Sequence, residues 1–143
     1  MKNRSVPSES MIAHVVYKDV EEAIAWLTKV FGFRENYRYG DRVDGAQMRF
    51  GSAVMMLQRA RPGRFIPKEI GGETQSLSLF VDDVRTHYEQ SRNAGAKIVE
   101  DLKETGYGEL QYGVEDLAGH HWLFSQHARD VSPEEWGARV ARS

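Results

Sequence analysis

The sequence predicts an α+β fold made of two tandem βαβββ modules. Two stretches that lie 64 residues apart begin alike, since residues 12–20 and 76–84 each run from an apolar, β-prone segment into an Asp-Val pair that starts a helix. Each helix is followed by a glycine, Gly32 or Gly95, that can end it. One copy of about fifty residues buries too little surface to be stable alone, so the two modules are expected to share a core.

The first module begins with a strand over residues 11–17, which are rich in Ile, Val and Tyr. Asp19 and Glu22 have the spacing of a capping box, and the helix that they start is expected to run from about residue 20 to 31. Three short β-prone runs separated by glycine-containing turns complete the module: 33–39, 46–50 and 53–57.

The second module repeats this order of elements. Residues 76–81 form its first strand, and Asp83 caps a helix that runs from Val84 to about Ala94. Its three remaining strands are predicted at 97–100, 110–115 and 121–126.

The segments outside the modules have patterns of their own. Residues 61–74 contain two prolines and three glycines, which predicts a linker without regular structure. Ser132, Pro133 and Glu135 have the pattern of a helix start, which predicts a short C-terminal helix led by Trp136. The predicted boundaries are module one at about 9–60, linker at 61–74, module two at 75–127 and C-terminal tail helix at 128–143.

Length and composition narrow the functional class. A chain of 143 residues that is 41% hydrophobic and 28% charged is expected to be a single globular domain. Its net charge of -2 provides no basic field for nucleic acid or for an anionic membrane, so the expected partner is a small molecule or another protein. The absence of cysteine excludes disulfides, thiolate metal sites and a cysteine nucleophile. No apolar segment is long enough for a signal core or a membrane span, which predicts a cytoplasmic protein.

The segment over residues 107–124 carries the clearest motif. It reads Tyr-Gly-Glu-Leu-Gln-Tyr-Gly-Val-Glu-Asp-Leu-Ala-Gly-His-His-Trp-Leu-Phe, a glycine-rich loop followed by an Asp-x-x-Gly-His-x-Trp hairpin. Together with the two Asp-Val helix starts and Phe31-Gly-Phe33, it resembles the vicinal oxygen chelate superfamily over roughly residues 11–127. That superfamily includes glyoxalase I, ring-cleaving dioxygenases, fosfomycin resistance enzymes and bleomycin-binding proteins.

The resemblance implies an architecture and a metal-binding pattern. In such proteins two curved sheets form a shared cleft, often between two subunits, and the helices lie on the outer faces, so a homodimer is expected. Metal ligands project from four strand positions, of which three fall here on Ile12, Ser76 and Leu123, while the fourth strand, residues 53–58, contains no histidine or carboxylate. Such residues cannot hold a hard divalent ion, so no metal and no other cofactor is expected.

Strand register leaves a metal site open as the alternative. A register that differs by two residues brings His14 and His121 into ligand positions, because residues two apart share a face. Two histidines without a carboxylate still make an incomplete site.

Period-two alternation predicts which side chains line the cleft. Apolar residues such as Leu77, Leu79 and Trp122 are assigned to the helix side, and their neighbours to the cleft. The predicted ligand-binding residues are His14, Gln47, Arg49, Ser76, Ser78, Phe80, Gln111, His121 and Leu123. Arg49 is suited either to an anionic ligand group or to a salt bridge. His120 is expected to have a structural role in the hairpin turn, and His87 is expected on the surface.

Three functions are compatible with these residues. The first is a binding protein that holds a small aromatic or amphipathic molecule in the cleft without a metal, as bleomycin-binding members do. The second is an enzyme, either a divergent metal-dependent lyase, isomerase or dioxygenase, or a metal-free one that uses His14 or His121 as acid or base. The third is a structural or regulatory dimer whose cleft is vestigial. The sequence does not identify catalytic residues.

Overall fold

The structure is a computed structural model that describes residues 1, 3–6 and 11–142. The predicted start of the first module near residue 9 lies outside the described residues. The chain divides into two compact units, Met1–Glu73 with Leu117–Gly119 and Thr74–Asp116 with His120–Ser143. Each unit contains a four-stranded mixed sheet and a helix between its first and second strands, which confirms the predicted tandem βαβββ order.

The sheet of the first unit has the order β1-β4-β3-β2, with β1 parallel to β4 and the other neighbours antiparallel. Its strands are β1 (Ala13–Tyr17), β2 (Arg34–Tyr39), β3 (Gly45–Phe50) and β4 (Ala53–Arg59). The helix α1 (Val20–Trp26) packs on β3 and β4 and continues as a π-helical turn, Leu27–Phe31. The core between helix and sheet buries Val15, Tyr17, Val20, Ala23, Ile24, Leu27, Met48 and Leu57.

The predicted limits of this first helix are confirmed. Asp19 caps it, since its carboxylate accepts a hydrogen bond from the Glu22 backbone N–H at 3.0 Å. Gly32 ends it with a φ of 87°, a left-handed conformation that favours glycine. The π-helical geometry of the last turn has no signal in the sequence.

The segment between the modules is more ordered than predicted. It contains a short helix, α2 (Pro67–Ile70), which begins at a proline and ends at Gly71 with a φ of 73°. Ile66 and Pro67 are buried, and the Lys68 N–H donates to the Ala118 carbonyl at 3.2 Å. The prediction of a linker without regular structure is therefore wrong over these four residues, because proline is compatible with the first turn of a helix.

The second unit repeats the arrangement with the strand order β5-β8-β7-β6. Its strands are β5 (Ser76–Phe80), β6 (Lys97–Glu104), β7 (Glu109–Glu115) and β8 (His121–His127). The helix α3 (Val84–Asn93) packs on β6, β7 and β8 and is capped by the Asp83 carboxylate, which accepts from the Thr86 N–H at 3.1 Å. The sequence predicts each strand, but β6 extends four residues beyond its predicted end at residue 100.

His87 lies on the buried side of α3, so the prediction of a surface position is wrong. Its Nδ1 forms a hydrogen bond of 2.6 Å with the Tyr112 hydroxyl, and its ring lies 4.2 Å from that of Phe124, centroid to centroid. Ser91 Oγ lies 2.9 Å from the same hydroxyl. His87 and Tyr112 can both be buried because each supplies a hydrogen-bond partner for the other. The sequence of the helix alone does not reveal this partner on the sheet.

Because of Tyr112, the free energy of unfolding should depend on pH in the alkaline range. Burial raises the pKa of the Tyr112 phenol well above its ordinary value. The unfolded chain loses that proton above about pH 10, while the folded protein keeps it. The free energy of unfolding should therefore fall as pH rises past about 10, and urea titrations between pH 8 and 11 should show a shallower fall for Tyr112→Phe. Equal pH slopes for the two proteins would contradict this.

The C-terminal tail forms less helix than predicted. A single turn of 3-10 helix, Pro133–Trp136, replaces the expected tail helix, and the Ser132 side chain makes no capping hydrogen bond. Gly137, with a φ of 98°, ends the turn directly after Trp136. The Trp136 ring contacts Tyr107 edge to face, at 5.8 Å between centroids.

Among the described residues, no helix has the length and apolar character that crossing a bilayer requires.

Candidate functional site

In the second unit, strand register determines which side chains share the sheet face opposite α3. Ser76 pairs with His121 and Ser78 with Leu123 between β5 and β8, and Gln111 pairs with Ser125 between β7 and β8. Paired residues point to the same side of a sheet, and residues two apart on a strand share that side. This face, called the second-unit face below, carries the predicted residues Ser76, Ser78, Phe80, Gln111, His121 and Leu123.

The second-unit face mixes an exposed aromatic ring with hydrogen-bonding groups. Phe80 is 61% exposed. Gln111 donates from Nε2 to Ser125 Oγ at 2.8 Å and accepts from the Tyr107 hydroxyl at 2.9 Å. The amide of Gln111 is therefore held in one orientation on the same face as Phe80.

Glu100 joins this face although alternation along the strand does not predict it. His121 Nε2 lies 3.7 Å from the Glu100 carboxylate. Counted from Lys97, which pairs with Glu115, Glu100 would point toward α3, but the register of β6 shifts between Ile98 and Glu100 so that Glu100 pairs with Gly113. Such a bulge reverses the side on which the following residues point.

Because Gly113 has no side chain, His121 and Glu100 have space to lie next to each other. A Cβ at position 113 would lie 2.9 Å from His121 Nε2 and 3.0 Å from the Glu100 side chain. Real Cβ atoms require more space, so any larger residue here would displace the pair. The glycine is part of the site for a packing reason and not for its backbone freedom.

In the first unit, His14, Gln47 and Arg49 also share one face, here called the first-unit face. His14 and Gln47 both pair with Met56, and Arg49 lies two residues beyond Gln47 on β3. The Gln58 side-chain amide donates to His14 Nδ1 at 2.9 Å. Arg49 is exposed and pairs in register with Arg34 of β2.

Gln47 differs from the other predicted residues because it is only 1% exposed. Its Nε2 donates to the Ser5 carbonyl at 2.9 Å and to the Tyr37 hydroxyl at 3.1 Å, and its Oε1 accepts from Asn36 at 2.8 Å. Tyr37 reaches this face through a second bulge, where the register of β2 shifts between Glu35 and Tyr37. The N-terminal segment therefore covers Gln47, which no local sequence signal indicated.

The metal positions implied by the sequence resemblance do not fit a metal. Ile12 and Leu123 offer no donor atom, and Ser76 offers only a hydroxyl. Within residues 1, 3–6 and 11–142, no group of three or more His, Asp or Glu side chains is placed to hold an ion. In the second unit His121 has Glu100 beside it, which makes two donors and not a complete site.

The Asp-x-x-Gly-His-x-Trp motif has a structural role. The buried Asp116 carboxylate accepts hydrogen bonds from the His120 backbone N–H and from Trp122 Nε1, each at 3.0 Å. The Asp116 N–H donates in turn to the His120 carbonyl at 3.0 Å. These bonds fix the turn between β7 and β8, as the sequence predicted for His120.

Comparisons with known proteins agree with this architecture. The sequence profile of the Glyoxalase/Bleomycin resistance protein/Dioxygenase superfamily matches residues 11–124. An uncharacterized protein of Mycobacterium bovis, Mb0911c, is 30% identical over 136 residues, which are 90% of each chain.

Two solved structures illustrate the range of similarity. TioX from Micromonospora sp. ML1 has a TM-score of 0.70 at 31% identity, over 84% of this chain and 99% of its own. The fosfomycin resistance protein FosX from Listeria monocytogenes has a TM-score of 0.65 at 11% identity, over 90% of this chain and 98% of its own. At so low an identity, the second likeness shows the fold alone.

Proposed function

The chain belongs to the Glyoxalase/Bleomycin resistance protein/Dioxygenase superfamily, and from that premise we propose that it binds a small aromatic or amphipathic molecule on its sheet faces without a bound metal. The observation that carries this proposal is the second-unit face, where the exposed Phe80 ring shares one side of the sheet with hydroxyl, amide and imidazole groups. Small-molecule sites combine apolar surface for burial with a few polar groups that set orientation.

Phe80 supplies the main apolar contribution. Full burial of a phenylalanine side chain contributes about 1.5–3 kcal/mol, and most of this ring is still accessible. An aromatic ligand that stacks on the ring gains a further increment from ring geometry. Ser76, Ser78 and Gln111 are placed to orient polar substituents of such a ligand.

The side chains available to coordinate a metal ion support binding without one. Neither Ile12 nor Leu123 can coordinate an ion, and His121 with Glu100 supplies two ligands where a catalytic zinc site has three. Elemental analysis of protein purified without chelator should therefore find substoichiometric Fe, Mn, Ni and Zn. One equivalent of a metal that is lost in His121→Ala would contradict the metal-free proposal.

A thermal-shift screen with aromatic drugs and metabolites tests ligand binding. A ligand that binds only the folded state raises the melting temperature. Hits should lose most of their effect in Phe80→Ala and keep it in Phe65→Ala, a matched control because Phe65 is 55% exposed and belongs to the segment between the modules. Hits that respond equally to both variants would contradict the assignment of the second-unit face.

Catalysis is the second candidate, and one contact favours it. The carboxylate of Glu100 lies 3.7 Å from His121 Nε2, an arrangement that could orient an imidazole for acid–base chemistry. If a hit from the screen is a substrate, mass spectrometry should show its conversion by the wild type and not by His121→Ala or Glu100→Gln. Unchanged ligand after prolonged incubation favours the binding function.

We further propose a cytoplasmic homodimer. Members of the superfamily often form their cleft between two subunits, and the dimer rests on that likeness and not on the Phe80 ring, which the ligand would cover. Light scattering on the full chain should give about twice the chain mass. A monomer at all concentrations would contradict the dimer and leave ligand binding unaffected.

A further inference from the structure

We propose that the first unit carries an oxyanion-binding site formed by Arg34 and Arg49. The two residues pair in register across β2 and β3, so their guanidinium groups leave the sheet on the same side. The inference goes beyond the proposed function, which the second-unit face carries, because it assigns a separate anion site within the first unit. A carboxylate or a phosphate group has the required chemistry.

The charges of this pair are not balanced within the described part of the chain. Like charges directly opposite each other on neighbouring strands destabilise a sheet. Among the described residues, neither guanidinium has a hydrogen bond or an ion pair with another side chain. Arg38, four residues further along β2, shows the opposite situation, since it donates two hydrogen bonds to Glu35 at 2.7 and 2.9 Å.

An oxyanion would resolve this imbalance. Guanidinium groups present several N–H donors in a planar fork that matches two oxygens of a carboxylate or phosphate. An anion between the two side chains would accept from both and cancel part of their mutual repulsion. Lysine would supply charge without the fork, so the proposal depends on arginine geometry as well as on charge.

A shallow pocket lies beside the two guanidinium groups. It has a volume of about 90 Å³ and is lined by Gly32, Arg34, Arg49, Phe50 and Gly51. That volume suits one oxyanion group and not a whole drug-sized ligand, whose pockets have volumes of about 300 Å³ or more. A Cβ added at Gly51 would meet nothing within 4 Å, so the turn side of the pocket is open.

Phe50 adds little apolar surface to the pocket, whose lining is mainly polar. Its ring packs edge to face on Phe33, with 5.4 Å between the centroids, and is held in place by that contact. The pocket therefore suits the charged group, and any apolar part of a ligand would lie outside it. The ligand class that follows is a molecule with a carboxylate or phosphate group.

Amide-resolved NMR of the isotope-labelled full chain, titrated with inorganic phosphate at low salt, tests the site. Saturable shifts should appear at Gly32, Arg34, Arg49 and Gly51. Arg34→Gln and Arg49→Gln should each weaken phosphate binding by about tenfold or more, and Arg49→Lys should weaken it less. Arg38→Gln is the matched control, because it removes one arginine from the same strand, and should change the affinity by less than about twofold.

Three results would overturn the site: no saturable shift, shifts at other residues only, or equal weakening by Arg38→Gln. Spectra without phosphate report whether each variant is folded. If a glutamine variant is unfolded, the smaller loss of affinity expected for Arg49→Lys still tests the site. Raising the salt concentration should weaken binding, since both guanidinium groups are exposed and screened.

Benzoate and benzyl alcohol distinguish the source of the oxyanion. If the site receives the carboxylate of an organic ligand, benzoate should bind more tightly than phosphate, and Arg34→Gln should weaken the binding of benzoate but not that of benzyl alcohol. Phosphate as the tighter ligand would assign the site to a phosphate group instead. If aromatic hits depend on Phe80 but neither phosphate nor benzoate binds, the oxyanion site is refuted and the proposed function is not. Phosphate binding without any aromatic hit would refute the proposed function alone.

Discussion

Replacing Asp116 with alanine is expected to lower the free energy of unfolding by about 2–5 kcal/mol. The substitution removes the acceptor for two donors, the His120 backbone N–H and Trp122 Nε1, each of which lies 3.0 Å from the carboxylate. Both residues are buried, so water cannot replace the lost bonds without opening the turn. Since the free energy of unfolding of small domains is about 5–15 kcal/mol, a large part of the stability would be lost. Urea titration followed by tryptophan fluorescence measures the change.

Asp116→Asn is the matched control for this prediction. Asparagine has nearly the same shape and keeps one carbonyl acceptor, so it should cost less than Asp116→Ala. An alanine variant as stable as the asparagine variant would show that the hydrogen bonds of Asp116 do not hold the turn. The motif would then have to be retained for a different reason.

Replacing Phe124 with alanine is expected to cost about 3–5 kcal/mol. The side chain is fully buried and its ring packs against three others, with centroid distances of 5.9 Å to Trp122, 5.6 Å to Tyr112 and 4.2 Å to His87. Truncation removes these contacts and leaves a cavity that a rigid aromatic cluster cannot fill. Thermal or urea unfolding of the full chain measures the loss.

Phe80→Ala provides the contrast on the other face of the same sheet. Because Phe80 is mostly exposed, its removal should change the free energy of unfolding by less than about 0.5 kcal/mol. A cost near that of Phe124→Ala would mean that the Phe80 ring is covered in solution, as a dimer on this face would cover it. Comparison of the two variants therefore tests both the core and the second-unit face.

Most of the fold could be predicted because its signals are local. Asp19 and Asp83 cap their helices through backbone groups three residues ahead, and Gly32 ends the first helix. Alternation identified the buried sides of the strands for the same reason, since it depends only on adjacent residues. The linker helix and the short tail turn differed from prediction where proline and glycine allow more than one outcome.

The candidate site was less predictable because its details depend on strand pairing. Alternation placed His121 and Ser78 on the correct face, whereas Glu100 and Tyr37, to which no face was assigned, reach their faces through bulges that strict alternation does not include. A bulge is a relation between two strands, so neither strand shows it alone. The pairing of Arg34 with Arg49 likewise appears only once β2 and β3 are in register.

The sequence by itself determined the repeat, the limits of the two module helices and the buried side of β1, β3, β5, β7 and β8, because each of these depends on residues a few positions apart. Only the tertiary structure decided that Ser5 covers Gln47, that His87 is buried against Tyr112 and that Glu100 lies beside His121. Each of these contacts joins residues that are more than 20 positions apart in the chain. Such contacts form when the chain closes on itself, and a local sequence pattern carries no information about them.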